Sequence, residues 1–399
     1  MAQPNKELDL VLQGATGFTG RLAAAELARY APADLRWAVA GRDPGKVAAL
    51  ATQHGVPGLV ADGLDPSAVA QLAASTRVVL SCAGPFSRYG TRLVQACAEH
   101  QTHYADLTGE VPWIQNVLAP LHAKCVANGT TLVPCSGFDS VPTDLGVHDL
   151  IETLTAQGHS LAGLPIAGFY RLRGGLNGGT LHSGIALAED GALGGFTARP
   201  SAASTTSKTE PTRPRVFHVA CLDRWAAPFL MAPVNEWIVA RSLAGEPNHA
   251  HAGQAQSGPT YHEHMAVRGR LQAYAMTGLL GLSNVLLGSK LGRGLLRRFG
   301  PQPGEGPTER KIQSGFARLT LVAGELSRPL AIKRWDWNGD PSNLITVRCL
   351  VQTGLALAAG EARAAGLQTP ARAFGSRLLD RLVAIGATRP ATLHAKDAR

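Results

Sequence analysis

The chain has 399 residues, a length that suits two domains, or three, at roughly 100–200 residues each. Hydrophobic residues make up 45% and charged ones only 17%, the reverse of a disordered chain, and the 45 Gly and 25 Pro follow no collagen-like period. The excess of 38 Lys and Arg over 29 Asp and Glu gives +9, which fits an anionic ligand, a membrane surface or nucleic acid without choosing among them.

Six cysteines (82, 97, 125, 135, 221 and 349) form no CxxC and no Cys/His cluster with zinc spacing, so no metal is expected. The N-terminus carries no apolar leader core, and the expectation is a cytoplasmic chain with reduced thiols. The longest apolar stretch, Ala275 to Leu287, is 13 residues, short of the about 20 that a spanning helix needs.

Apolar runs alternate with helical stretches through the first 150 residues. Leu8–Gln13 reads as a buried strand, followed by a helix from Gly17 to Tyr30 with Leu22, Ala25, Leu27 and Ala28 inward. Strands at 35–40 and 58–61 flank a helix over 44–53, and a strand at 77–82 leads to a helix over 91–100. A strand at 102–106, a helix through Asn128 and a strand at 130–135 complete the series. Strands alternating with helices imply an α/β fold with a doubly wound parallel sheet.

The first turn, Gly14-Ala-Thr16-Gly17-Phe18-Thr19-Gly20, follows a strand and opens a helix. Gly14 permits the tight turn, Gly17 lets backbone approach a pyrophosphate, and Gly20 allows close helix–strand packing, with free N–H groups facing the anion. The second strand ends at Arg42, a cation suited to a 2′-phosphate, so NADP is favoured over NAD, although Asp43 keeps NAD open. Asp62 fits a cap of the next helix better than an adenine contact. The fourth strand runs into Cys82-Ala83-Gly84-Pro85-Phe86-Ser-Arg88-Tyr89-Gly90, where small residues let a cofactor pass and Arg88 or Tyr89 could reach a ligand.

Beyond Leu161 the spacing predicts a strand at 165–172, a helix from Thr180 to Leu187 and a surface loop at 198–214. A loop and helix over 229–241 and strands at 261–270 and 316–324 follow, for an antiparallel or mixed sheet. His262 and His264 share a strand face without a third ligand. Residues 272–299 join a leucine-rich run to Lys290, Arg293, Arg297 and Arg298, which suits peripheral membrane contact, a homodimer interface or the chain's own core. Without aromatic interleaving or a known module, the basic surplus does not point to nucleic acid.

Two further loops are Thr102-His-Tyr104-Ala-Asp106-Leu-Thr-Gly-Glu110-Val-Pro112 and Val133-Pro-Cys135-Ser-Gly137-Phe138-Asp139-Ser-Val-Pro142-Thr-Asp144-Leu-Gly146. With GATGFTG, AGR and CAGPF-x-x-YG, the chain resembles the saccharopine dehydrogenase-like oxidoreductases, above all the bacterial trans-acting enoyl reductase branch. Met231-Ala-Pro233-Val-Asn235, Pro303-Gly-Glu305-Gly-Pro307 and Gly339-Asp340-Pro341 agree, whereas Ser342-Asn343 stand where Gly-Tyr often follows.

The resemblance implies a Rossmann domain (1–155), an inserted α+β substrate and dimerisation domain (156–335), and C-terminal helices (336–399) packing back on the first. It implies an enzyme, an NADP-dependent oxidoreductase acting on a small apolar or lipid-like substrate, with hydride transfer to an enoyl intermediate. An amino-acid dehydrogenase using Arg171, Arg173 or Arg241 against carboxylates, and an NADP-binding lipid-surface protein without turnover, stay open. The expected cofactor contacts are the glycine turn, Arg42, Ala83, Gly84, Pro85, Gly137 and Phe138. The proton donor is sought among Tyr89, Tyr104, Asp106, Glu110, Asp139 and Asp144, with the two last also fitting helix caps. Cys135 reads as a packed thiol rather than a nucleophile.

Overall fold

The computed structural model describes residues 6–175, 177–189, 216–244, 258–302 and 304–393. The loop expected at 198–214 and Pro303 lie outside them. Six strands build the first sheet in chain order: β1 (Leu8–Gln13), β2 (Trp37–Gly41), β3 (Gly58–Val60), β4 (Thr76–Ser81), β5 (His103–Asp106) and β6 (Thr131–Val133). Six more build the second: β7 (Pro165–Arg173), β8 (Phe217–Val219), β9 (Arg224–Pro228), β10 (Thr260–Val267), β11 (Phe316–Glu325) and β12 (Arg328–Asn338). The chain then divides, with β13 (Gly366–Leu367) joining the first sheet and β14 (Ala391–Thr392) the second.

The first sheet is parallel in the order β13-β6-β5-β4-β1-β2-β3. Its strands read as unbroken apolar runs because helices cover both faces, and Val11 sits between Ala38 and Val79 in register. Strand order reverses between β1 and β4, which opens a crevice beyond their carboxyl ends. The second sheet runs β14-β12-β11-β7-β10-β9-β8 and is mixed: β10 pairs parallel with β7, and the other pairs are antiparallel.

Several local expectations change. The first helix is Phe18–Tyr30, and it buries Ala23, Ala24, Glu26 and Leu27 while Ala25 and Ala28 face solvent. A run of alanines offers no contrast from which to read a face, and Glu26 is drawn inward by Arg348. Asp62 does not cap a helix: its carboxylate accepts the Leu64 N–H in a turn, and Asp65 caps the helix Pro66–Ser75. The stretch 272–299 is two helices, Arg270–Gly288 and Lys290–Phe299, broken where the Ser289 hydroxyl accepts the Gly292 N–H and caps the second.

Helix Val141–Ala156 joins the two halves. Gly146 lies so close to the second sheet that a Cβ there would meet Leu321 at 3.1 Å and Leu319 at 3.5 Å. A π-turn at Pro341–Ile345 leads into helix Thr346–Ala358, which is buried along nearly its whole length. It lies on the first sheet, Gly354 against Leu80, and Arg348 reaches Glu26 of the first helix at 3.0 Å. Arg348→Met would strand the Glu26 carboxylate in a nearly dry site and is expected to cost about 2–4 kcal/mol. The urea midpoint measures it; an unchanged midpoint would mean the helix docks without the pair.

Candidate active site

The first βα turn is shaped by backbone contact. Gly14 adopts φ +75°, and a Cβ there would stand 2.9 Å from the Ala83 nitrogen. A Cβ on Gly20 would stand 2.2 Å from the Gly14 carbonyl oxygen. These two positions bring helix Phe18–Tyr30 hard against the end of β1 and press the turn onto the loop after β4. Gly17 is exposed, no side chain caps the helix, and no acidic residue stands in its first turn. The leading N–H groups therefore face the crevice and favour an anion there. The Arg21 guanidinium holds the turn by donating to the Thr16 carbonyl at 2.8 Å, and Phe18 packs beneath Gly306. Thr19 is half-buried beside them.

At the end of β2, Arg42 is exposed. Asp43 is occupied, its carboxylate accepting the Lys46 N–H at 3.0 Å as the cap of helix Pro44–His54. After β4, Ala83 and Gly84 lead into Pro85, which precedes a short helix, Phe86–Tyr89. Both Glu110 oxygens accept backbone N–H groups of that helix, from Phe86 at 2.7 Å and Ser87 at 2.9 Å. This places Glu110 as a clamp on the loop rather than a group open to substrate. Tyr89 is half-buried at the helix end. Arg88 pairs with Glu189 at 3.1 Å, and Gly84 faces Ser183, so helix Gly178–Glu189 of the second half closes over this side.

Tyr104 and Asp106 are fully buried on β5. The Tyr104 hydroxyl donates to Asp106 at 2.8 Å, and the same carboxylate accepts N–H groups of Thr108 and Cys135. Burial raises the Asp106 carboxyl to about 7, against hydrogen bonds that lower it. Burial also pushes the Cys135 thiol well up, with the nearby carboxylates adding to it, which fits a packed thiol. Asp144 neither caps its own helix nor faces the crevice. It accepts from the Ser242 hydroxyl and the Ala371 N–H, tying helices Ala232–Leu243 and Pro370–Phe374 together.

Asp139 differs from the other carboxyls. It follows β6, keeps part of its surface open, and caps nothing, since no side chain caps helix Val141–Ala156. Burial lifts its carboxyl to about 6, and no hydrogen bond to it is seen among the described residues. Behind it lies a polar network in the otherwise apolar junction. Glu263 on β10 accepts from Thr143 at 2.6 Å, Tyr261 at 2.7 Å and Asn235 at 2.6 Å. Tyr170 on β7 bonds Thr143 at 2.8 Å, and Ser140 donates to Asn235 at 3.1 Å. Burial raises Glu263 to about 7, partly offset by these donors.

Residues 10–133, which span β1 to β6, match the family model of the saccharopine dehydrogenase NADP binding domain. A Mycobacterium tuberculosis protein assigned as a trans-acting enoyl reductase is 33% identical over 98% of this chain and 99% of its own. The trans-acting enoyl reductase of Mycobacterium ulcerans is 30% identical with the same coverage. The chain belongs to the saccharopine dehydrogenase-like oxidoreductases, with the trans-acting enoyl reductases among its relatives. Saccharopine dehydrogenase (L-Glu forming) from Saccharomyces cerevisiae shares the fold at a TM-score of 0.56 and 13% identity, covering 97% of this chain and 100% of that one. The homospermidine synthase of Legionella pneumophila, solved with NAD, aligns at 0.55 and 11%, over 97% and 92%. The protein is thus an oxidoreductase with a nicotinamide-nucleotide domain.

In this oxidoreductase the glycine turn stands between the loop after β4, where Gly14 meets Ala83, and the end of β2, where Gly41 faces Thr16 just ahead of Arg42. Phe138 does not join them: its ring is buried edge-on to Tyr170 at 5.6 Å and Trp337 at 6.3 Å. Gly137 is buried against Leu107 and Thr346. No cluster of three metal-ligating side chains occurs among the described residues; His264 stacks on Phe169 and His262 lies 3.4 Å from Glu236. The network of Thr143, Tyr170, Asn235, Tyr261 and Glu263 was not anticipated. Its signals were present in the alternation of Tyr261 and Glu263 on one strand face, and in Asn235 within the Met231–Asn235 motif.

Glu263 holds its proton to a higher pH in the folded chain than the about 4.3 of a free side chain. Its contribution to stability is full below that value and is lost as pH rises through about 7. Glu263→Gln is therefore expected to shrink the fall in Tm between pH 5 and 8 (roughly the range of that loss). An unchanged pH slope in thermal melts would contradict this.

Proposed function

We propose that this oxidoreductase uses NADPH to reduce an apolar enoyl-type substrate, with Asp139 supplying the proton. The observation that carries the cofactor reading is the pairing at the end of β2: Arg42 is open to solvent while Asp43 is engaged in a helix cap. An unengaged acid there would bind a ribose 2′-hydroxyl, whereas a free guanidinium suits a 2′-phosphate. The glycine turn fits the nucleotide, since exposed Gly17 precedes uncapped N–H groups. NADPH bound there would supply the hydride.

The chain's residues then have defined tasks. The N–H groups of helix Phe18–Tyr30 bind the pyrophosphate, and Arg42 the 2′-phosphate. The Ala83–Pro85 loop, clamped by Glu110, lines the nicotinamide end. Asp139 donates its proton to the substrate carbon next to the carbonyl as charge develops there, and is reprotonated from solvent through its open side. Buried Tyr170, held by Thr143, walls the space behind Asp139.

The enoyl reading draws on the names of relatives 30–33% identical over the full chain. The carboxylate-bearing substrate of an amino-acid dehydrogenase would need several cations at the crevice. Arg171 alternates with Tyr170 and so lies on the opposite sheet face, beside Arg318, and Arg173 donates to the Ser314 carbonyl at 3.1 Å. Arg241 packs over Trp237 at 5.0 Å.

Arg42→Glu is expected to weaken NADPH binding about 10–100-fold, the loss of one charge-assisted contact, and NADH binding far less. Nicotinamide fluorescence titrations measure both, and equal losses would contradict the NADP assignment. Turnover is expected to fall as pH rises above about 6, where Asp139 loses its proton. Asp139→Asn should lower kcat by about 10²–10⁴ and abolish that limb. A variant that keeps the wild-type pH profile would remove Asp139 from the mechanism.

A further inference from the structure

Helix Arg270–Gly288 carries apolar residues all around, a composition that ordinarily marks a buried helix. Here only Ala273 is fully buried. Leu271, Tyr274, Leu282 and Val285 recur at helical spacing along the solvent side, with Leu271 86% exposed. The next helix, Lys290–Phe299, continues the surface: Leu291, Leu295 and Phe299 are spaced four apart on one outward face, Leu291 and Phe299 being 77% and 76% exposed. A contiguous apolar surface of this kind on a chain in water marks an interaction site.

Charge decides what it meets. From Arg270 to Phe299 there are five cations, Arg270, Lys290, Arg293, Arg297 and Arg298, and no Asp or Glu. Lys290 and Arg298 are exposed beside the Leu291–Leu295–Phe299 face, whereas Arg297 points to the other side and pairs with Glu189. At the base, Arg270 lies 5.7 Å from the Trp225 ring centroid and 5.6 Å from that of Tyr274, so aromatic and guanidinium groups stand together at the edge of the apolar face. Apolar side chains beside cations, with amphipathic aromatics at the rim, are complementary to an anionic bilayer surface. A second copy of the same uniformly cationic face would repel it. No helix among the described residues is long and apolar enough to cross a membrane, so the contact lies in the interface plane.

We infer that the helix pair 270–299 docks this oxidoreductase on the surface of an anionic phospholipid membrane. The pair is tied to the mouth of the crevice. Gly300 packs on Leu181 of helix Gly178–Glu189, Arg297 pairs with Glu189, and Glu189 also holds Arg88 of the loop after β4. The docked face and the crevice mouth thus share one helix, and an apolar substrate dissolved in the bilayer has a short path between them. The inference stands apart from the hydride-transfer reading and does not need it.

The test is co-sedimentation of the full chain with phosphatidylcholine vesicles, with and without phosphatidylglycerol. Wild type is expected to sediment with the anionic vesicles and to be released by high salt. Lys290→Glu with Arg298→Glu should weaken partitioning at least about fivefold per cation, and Leu291→Asp with Phe299→Asp should abolish it. All four side chains are exposed, and unchanged melting curves and NADPH titrations would show that fold and nucleotide site are intact. Wild type remaining in the supernatant with anionic vesicles would overturn the inference. So would a dimer in light scattering that the aspartate pair dissociates, since the face would then belong to a second copy.

Discussion

Gly14 can take a left-handed turn pressed against the Ala83 backbone because it has no side chain, and Gly20 can lie against the Gly14 carbonyl for the same reason. The arrangement at the crevice depends on this backbone-to-backbone approach. It aims the uncapped start of helix Phe18–Tyr30 at the point where strand order reverses, and it sets the loops after β1 and β4 side by side. The same tight turn also meets the end of β2 just ahead of Arg42, where Gly41 faces Thr16. Helix Thr346–Ala358 secures the same region from the other half of the sequence through Gly354 and Arg348.

A second constraint comes from the junction between the two sheets. Helix Val141–Ala156 packs closely against the second sheet, where a Cβ on Gly146 would crowd Leu321. Within this apolar contact Glu263 gathers Thr143, Tyr261 and Asn235, and a buried carboxyl with three donors fixes the geometry more sharply than packing alone. Asp139 stands at the edge of that rigid junction and remains unengaged. Asp106, Asp144 and Glu110 are all held by donors, whereas the Asp139 carboxyl has no hydrogen bond among the described residues.

Much of the nucleotide half was legible in the sequence because its signals are local. A buried parallel strand is an unbroken apolar run, and a glycine turn at a strand–helix junction restricts what can follow. The reading failed where the cause is distant in sequence. Glu110 looked like an acid because its partners, Phe86 and Ser87, lie on another loop. Phe138 looked like a cofactor contact because its neighbours, Tyr170 and Trp337, come from the second sheet. Ala25 and Ala28 looked inward because alanine repeats carry no direction. Asp43 kept a ribose contact open, and its role as the cap of helix Pro44–His54 shows only in the bond it accepts from the Lys46 N–H.

The proposed reaction passes a hydride from NADPH to the carbon–carbon double bond of an apolar enoyl substrate. The most direct measurement uses NADPH deuterated at both C4 positions of the nicotinamide, an aliphatic enoyl thioester, and mass spectrometry with NMR of the product. The proposed reaction gives a saturated thioester with one deuterium on the carbon β to the carbonyl and a solvent-derived proton on the α-carbon. Deuterium on any other carbon, or none transferred although NADPH binds, would contradict it.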